Sequence, residues 1–196
     1  MPRIEPLRRE ELSEFEPFFR IVEQGMGFVP TSLLTMGRRP ELLRAFAGLT
    51  ATVLAGGSLP ADLKQLVAFV ASRAAGCAYC QAHTSHSAHR AGVPPEKLDA
   101  AFAFETSELF DARERAALRL ARDAALVPNE ATDAHFETLR DQFSQDEIVD
   151  LVAVIALFGW LNRWNDTVAT ELESSPLAFA RRQLSAHGWD AGKHGA

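Results

Sequence analysis

Apolar side chains recur along this chain at intervals of three and four, the period of a helix with one buried face. No stretch alternates with the period of two that a half-buried strand requires. Phe15, Phe18, Phe19 and Val22 follow a Ser13-x-x-Glu16 pattern that reads as a capping box, and Gly25 and Gly27 end that piece. Ser32 to Met36 forms a short apolar segment. Pro40 suits a first helical position before Leu42, Leu43, Phe46, Leu49 and Val53. After the Gly56-Gly57-Ser58 turn, Pro60 opens a helix whose apolar side is Leu63, Leu66, Val67, Phe69 and Val70, and Gly76 closes it. The next helix starts at a pair of cysteines. Pro94-Pro95 starts a short one ending near Phe102, and Phe104 to Phe110 reads as a loop.

Asp111 is placed to cap a helix with Ala116, Leu118, Leu120 and Ala121 inward; Thr132 to Phe143 is another. Ser144-x-x-Glu147 is a second capping box. It opens the longest helix, expected over Gln145 to Leu172 and apolar on nearly every side from Leu151 to Trp160. Ser174-Ser175-Pro176 breaks that run, and a final helix extends to about Ser185. The pattern predicts an all-α protein of eight to ten helices in a single domain over 1–196. Helices in 1–60 are expected to pack on a core built around the cysteine pair, the loop near Phe104 to be the weakest point of the chain, and the tail 189–196 to be loose.

Composition adds limits. Nearly half of the 196 residues are apolar and the formal charge is −6, which fits a globular protein with a sizeable core. No Lys/Arg run offers a footprint for nucleic acid or for an anionic membrane surface. The polar start, Met1 to Pro6, has no apolar leader and the longest apolar run is too short to cross a bilayer, so a cytoplasmic location is expected. In that compartment two cysteines are a redox pair or metal ligands rather than a structural staple.

Those cysteines stand in Arg73-Ala-Ala-Gly-Cys77-Ala-Tyr-Cys80-Gln-Ala-His83-Thr-Ser-His86. With Cys77 at a helix start and Cys80 one turn in, both sulfurs share a face and are close enough for a disulfide. Free amide donors and the positive helix end favour thiolate, and most of all for Cys77, expected to be the more exposed sulfur. A thiolate attacks peroxide oxygen, and a neighbouring thiol closes the resulting sulfenic acid to a disulfide. His83 and Thr84 lie three and four residues past Cys80, on its face, and His83 is placed to manage the proton. His86 sits further along, and His89 reads as a solvated surface residue. A zinc site of Cys77, Cys80, His83 and His86 is a poorer alternative, because ligands on one continuous helix cannot surround a metal, which leaves partial ligation completed by another chain element or water. No cofactor is called for. Downstream, the apolar helix meets Asn162, Arg163, Asn165 and Asp166; either Arg163 and Asp166 cap and pair on a surface, or Asn162 or Asp166 faces the Cys80 pocket and places a water, while Trp160 and Trp164 read as core or interface.

Leu63 to His83, where a helix feeds Gly-Cys-x-Tyr-Cys, together with Gly27 to Met36 and Asn162 to Asp166, resembles the carboxymuconolactone decarboxylase and alkylhydroperoxidase D family, closest to its peroxidase-related branch. The resemblance covers most of the chain. It implies an all-α, alkylhydroperoxidase D-like fold assembled into trimeric or hexameric homo-oligomers. It also implies reduction of alkyl hydroperoxides or hydrogen peroxide, with an external dithiol as reductant. In the family the second cysteine, here Cys80, attacks and the first, here Cys77, resolves. The family's relay pairs a glutamate on the preceding helix with a histidine four residues after the second cysteine. Here those positions hold Gln65 and Thr84, with His83 one residue before the latter. Glutamine cannot accept a proton at neutral pH, which leaves His83 alone or calls on Glu10, Glu11 or Asp166 to fold back. Gln65 equally suits a non-catalytic, redox-sensing oligomer. The family's decarboxylase members do not rely on the cysteine pair, which argues against lactone or decarboxylase chemistry.

Overall fold

In the computed structural model residues 1–195 are described, and they contain ten α-helices and no strand. These are α1 (Glu16–Met26), α2 (Thr31–Met36), α3 (Pro40–Thr50), α4 (Ala61–Ala74), α5 (Ala78–Arg90), α6 (Pro95–Ala100), α7 (Ala112–Ala124), α8 (Asp133–Arg140), α9 (Gln145–Val168) and α10 (Ser174–Gln183). Short-range signals account for most of the starts. Ser144 and Glu147 cap α9 reciprocally, with Ser144 N donating to Glu147 at 2.9 Å and Glu147 N to Ser144 Oγ at 3.3 Å. Asp111 caps α7 through Glu114 N at 2.8 Å. The expected Ser13–Glu16 box does not form. Arg9–Phe15 is a 3-10 helix instead, and the Glu16 carboxylate is held by Arg9 and Arg20 at 3.0 Å each. Two guanidiniums outbid one backbone amide for the same carboxylate.

Helix α4 is the hub: it packs on α5, α7 and α9, and every residue from Leu66 to Ser72 is buried. Lys64 is also buried. Its ammonium donates to the carbonyl oxygens of Val53 (3.0 Å) and Gly56, closing the π turn Ala51–Ala55 that continues α3. A cation at a helix C-terminus offsets the exposed carbonyl dipoles there. One core cluster runs from Leu59 to Ala191 and takes in Phe104 and Phe110, so the expected weak point near Phe104 is tied into the main core. A second cluster, Leu12 to Phe46 with Leu157, joins the N-terminal helices to α9. Helix α9 is not buried all round: Val149, Val152 and Trp160 form an exposed stripe. No helix among the described residues is long and apolar enough to cross a membrane.

The C-terminal segment departs most from expectation. Helix α9 stops at Val168, not Leu172, because Ala169 turns into the left-handed region (φ 53°). Thr170 then fastens back on Asn165 through its amide (3.2 Å) and its hydroxyl (2.8 Å). Thr170 to Glu173 return over α5 before α10 begins. The tail is docked rather than loose. Trp189 Nε1 donates to Ala78 O at 3.1 Å, Leu172 N donates to His194 O at 2.9 Å, and Trp189, Ala191 and His194 are buried. Ala196 lies outside the described residues.

Candidate active site

The turn from α4 into α5 sets the sulfurs. Gly76 takes φ 74°, open to glycine at little cost, and Cys77 follows as the extended N-cap of α5. Cys77 Sγ accepts from Cys80 N at 3.4 Å, so the sulfur itself caps the helix. Both cysteines are free and both are buried; the expected greater exposure of Cys77 is not found, because the docked tail covers it. Their acidities diverge. The Cys80 thiol hydrogen-bonds the Cys77 sulfur, which lowers the Cys77 pKa against the opposing effect of burial. Burial, then the Cys77 neighbour, raises the Cys80 pKa well above a free thiol.

Only Cys80 lines the cavity beside α5. This space of about 160 Å3 is walled mainly by Phe18, Met26, Leu33, Phe46, Phe158 and Leu161. Its polar wall is Tyr79, His83, Thr84, Gln65 and Asn165. Asn165 Nδ2 donates to Cys80 Sγ at 3.5 Å and its oxygen is held by Thr170.

Gln65 does reach this cavity, but the carboxylate comes from elsewhere. Glu173, in the segment after α9, places Oε2 2.6 Å from His83 Nε2, and Oε1 accepts from Tyr79 Oη at 3.0 Å and from Thr31 N. Burial alone would raise its pKa. The His83 imidazole and the backbone donors outweigh it and pull Glu173 down to about 2. The Tyr79 ring stacks on His83 with centroids 4.2 Å apart, and Phe28 meets His83 edge-on at 5.3 Å. Burial and the neighbouring Glu173 push the Tyr79 hydroxyl well up, so it stays a donor. The sequence signal for Glu173 was its place in Glu171-x-Glu173, ahead of the Ser174-Ser175-Pro176 helix start. It was masked by the reading of those residues as the end of α9.

The other candidates fall as follows. Thr84 lines the cavity, but its hydroxyl donates to Cys80 O at 2.7 Å, which occupies it locally. His86 is outside the cavity; its Nε2 meets Ser175 Oγ at 3.2 Å, and its ring lies against Phe28 and Phe179. His89 is exposed and stacks on Phe179. Glu10 is exposed and Glu11 is held by Arg8, so neither folds back into the site. Asn162 and Asp166 do not face the Cys80 cavity. They line a separate groove with Ala74, Val127 and Arg163, and Asn165 is the α9 residue at Cys80. Asp166 lies instead behind Cys77, beside His194. Trp160 and Trp164 stack with centroids 5.2 Å apart, and Phe46 stacks on Trp160 at 5.1 Å.

The model of the carboxymuconolactone decarboxylase family matches residues 40–123. Among solved structures, the debrominase Bmp8 is 39% identical, with a TM-score of 0.85 over 93% of this chain and 96% of that chain. Its cysteine-to-alanine variant in complex with 2,3,4-tribromopyrrole aligns with a TM-score of 0.87 at 38% identity, over 91% of this chain and 96% of that one. A peroxidase-related protein from Silicibacter sp. TM1040 shares the fold, with a TM-score of 0.74 and 24% identity over 88% of this chain and 90% of that chain. The uncharacterized protein YdfG of Bacillus subtilis (strain 168) is 27% identical over 110 residues, 55% of this chain and 72% of that protein.

Proposed function

Because this chain belongs to the carboxymuconolactone decarboxylase family, and its site sets a cysteine pair beside a partly open, predominantly apolar cavity, we propose that it is a dithiol-dependent reductase. Its substrate is a small ring carrying an electrophilic atom, a halogenated aromatic in the first place. The observation that carries this reading is the cavity at Cys80: about 160 Å3 and predominantly apolar. A cavity of about 150 Å3 with such walls holds a benzene ring. The similarity to the debrominase Bmp8 over nearly the whole chain supports the same class of substrate.

The chemistry uses the two sulfurs in turn. The proton that Cys80 shares with Cys77 moves to Cys77, and the Cys80 thiolate is stabilised by the Asn165 amide. Cys80 sulfur attacks the halogen, the carbon–halogen bond breaks with its electron pair left on carbon, and carbon takes a proton. His83 in the cavity wall, held by Glu173, holds that proton. Cys77, its proton released, then attacks the Cys80 sulfenyl halide, forming the disulfide and expelling halide. Carbon is reduced by two electrons, the dithiol is oxidised by two, and an external dithiol restores it.

A hydroperoxide is the second reading, favoured by the same His83–Glu173 pair. An O–O bond is cleaved by the same attack, leaving sulfenic acid on Cys80 and an alcohol protonated from His83. The exposed stripe Val149, Val152 and Trp160 on α9 supports assembly as a homo-oligomer. The deciding experiment is single-turnover thiol loss in the reduced protein, with a brominated pyrrole and an alkyl hydroperoxide side by side. The expected result is one halide released per disulfide, faster than with the peroxide. If the ring leaves both thiols intact while the peroxide consumes them, the peroxidase reading replaces this one; if neither acts faster than on a free thiol, both fail.

A further inference from the structure

Behind the cysteine pair, away from the cavity, three groups of different kinds converge. Cys77 Sγ, an Asp166 carboxylate oxygen and a His194 ring nitrogen all lie within 4.8 Å of one another. They come from the N-cap of α5, the last turn of α9 and the docked tail. His194 is 1% exposed, and its Nε2 has no hydrogen-bond partner. Its Nδ1 faces the Thr170 carbonyl oxygen at 2.7 Å. A carbonyl only accepts, so Nδ1 carries the proton and Nε2 presents a bare lone pair. The nearest Asp166 oxygen to it, at 3.7 Å, is also an acceptor, and the other Asp166 oxygen is taken by Lys193 at 2.8 Å. Lone pairs on nitrogen, oxygen and sulfur therefore meet with no donor among them.

We propose that Cys77, Asp166 and His194 form a three-ligand site for Zn2+, and that the bound ion keeps the Cys77 sulfur out of the disulfide. A thiolate, an imidazole and one carboxylate suit a borderline-soft cation rather than Mg2+ or Ca2+. Tetrahedral zinc with bonds of about 2.0–2.3 Å sets its ligands roughly 3.3–3.8 Å apart. The 3.7 Å between His194 and Asp166 lies at the long end of that range, and a small movement of the Asp166 carboxylate brings it to the shorter nitrogen–oxygen edge. The Asp166 side chain is 48% exposed, so it can close on the sulfur and leaves the fourth position to water. The contact from His194 Nδ1 to a backbone carbonyl is the second-shell bond that orients a ligating histidine. This set differs from the one-helix set of Cys77, Cys80, His83 and His86, because its members approach from three elements. The regulatory half of the proposal rests on the reading of Cys77 as the resolving sulfur; the binding half does not.

The test is metal binding to the reduced, metal-stripped full chain. It is read by competition with a chromophoric chelator and by the absorption of the Co2+ form. One equivalent is expected, with a thiolate-to-cobalt band and the intense d–d absorption of a four-coordinate ion. His194→Gln and Cys77→Ser should each weaken Zn2+ at least tenfold, while Cys80→Ser should retain it. Asp166→Asn, a change at a half-exposed side chain, covers the case in which His194→Gln fails to fold, and should also weaken binding. Zn2+ should slow disulfide closure in the unmodified protein. No stoichiometric binding overturns the site, as does binding lost in Cys80→Ser but kept in Asp166→Asn and His194→Gln. Zinc bound by a protein without redox turnover would sink the reductase reading and leave the site standing.

Discussion

Replacing Glu173 by Gln removes one charge and keeps the shape of the side chain, so it isolates what the carboxylate does. Glu173 is held at a pKa of about 2, below the ordinary 4.5 of a glutamate, in a site where its side chain is only 14% exposed. That displacement corresponds to about 3 kcal/mol of stabilisation of the charged form by the folded structure. Gln retains a neutral contact to Tyr79 or Thr31, so the expected loss at pH 7 is about 2 kcal/mol. The sign gives a second check. A folded-state pKa below the unfolded one contributes fully above the unfolded value and is lost as pH falls through the folded one. Urea unfolding should therefore show a gap between the two proteins that is widest above about pH 5 and shrinks as pH falls from 4.5 toward 2. The same variant leaves His83 Nε2 facing an amide instead of a carboxylate, so the imidazole loses its charged anchor. Single-turnover thiol oxidation should slow by at least about 100-fold, the lower range for a positioned acid or base. A stability gap that does not change with pH would refute the charge argument. An unchanged oxidation rate would refute the relay.

Three further changes test the rest of the site. Cys77→Ser should still lose its one remaining thiol to substrate but form no intramolecular disulfide, whereas Cys80→Ser should not react at all; thiol counting and mass measurement separate the two. Asn165→Ala removes the amide that donates to Cys80 Sγ and the acceptor for Thr170 Oγ1; a loss of about 1–3 kcal/mol in urea is expected from the stranded Thr170 hydroxyl, with slower attack by Cys80. Trp189→Ala should release the tail: its ring is 8% exposed and bonded to Ala78 O, a loss of about 3 kcal/mol is expected by urea unfolding, and the backbone amide of His194 should lose protection in hydrogen exchange.

What was legible in the sequence was what is decided within one or two helical turns. Ser144 and Glu147 meet across three residues, and Cys80 and His83, also three residues apart, both line the cavity. What was hidden needed the chain to come back. His83 and Glu173 are 90 residues apart. Helix α9 has no Gly or Pro at its C-terminal end, and the stop is made by Ala169, a residue with no preference for the left-handed region. A helix apolar over much of its circumference also carries no face in its periodicity, so the choice of Asn162 over Asn165 for the Cys80 side could not be made from spacing. The tail is polar in composition, yet three buried side chains hold it.

These omissions are one omission. The segment from Asn165 to Glu173 carries the Cys80 donor, the Asp166 neighbour of Cys77, the Thr170 oxygen that orients His194, and the carboxylate on His83. In the family resemblance the relay carboxylate rides on the helix before the cysteines. Here Gln65 occupies that place and the carboxylate rides on a loop fixed by Thr170 and by the tail. The cavity wall and the surroundings of His83 and of Cys77 are thus fastened to a single stretch. Loosening it at Thr170 should disturb all three together, while a change in α4 at Gln65 should alter only the cavity wall.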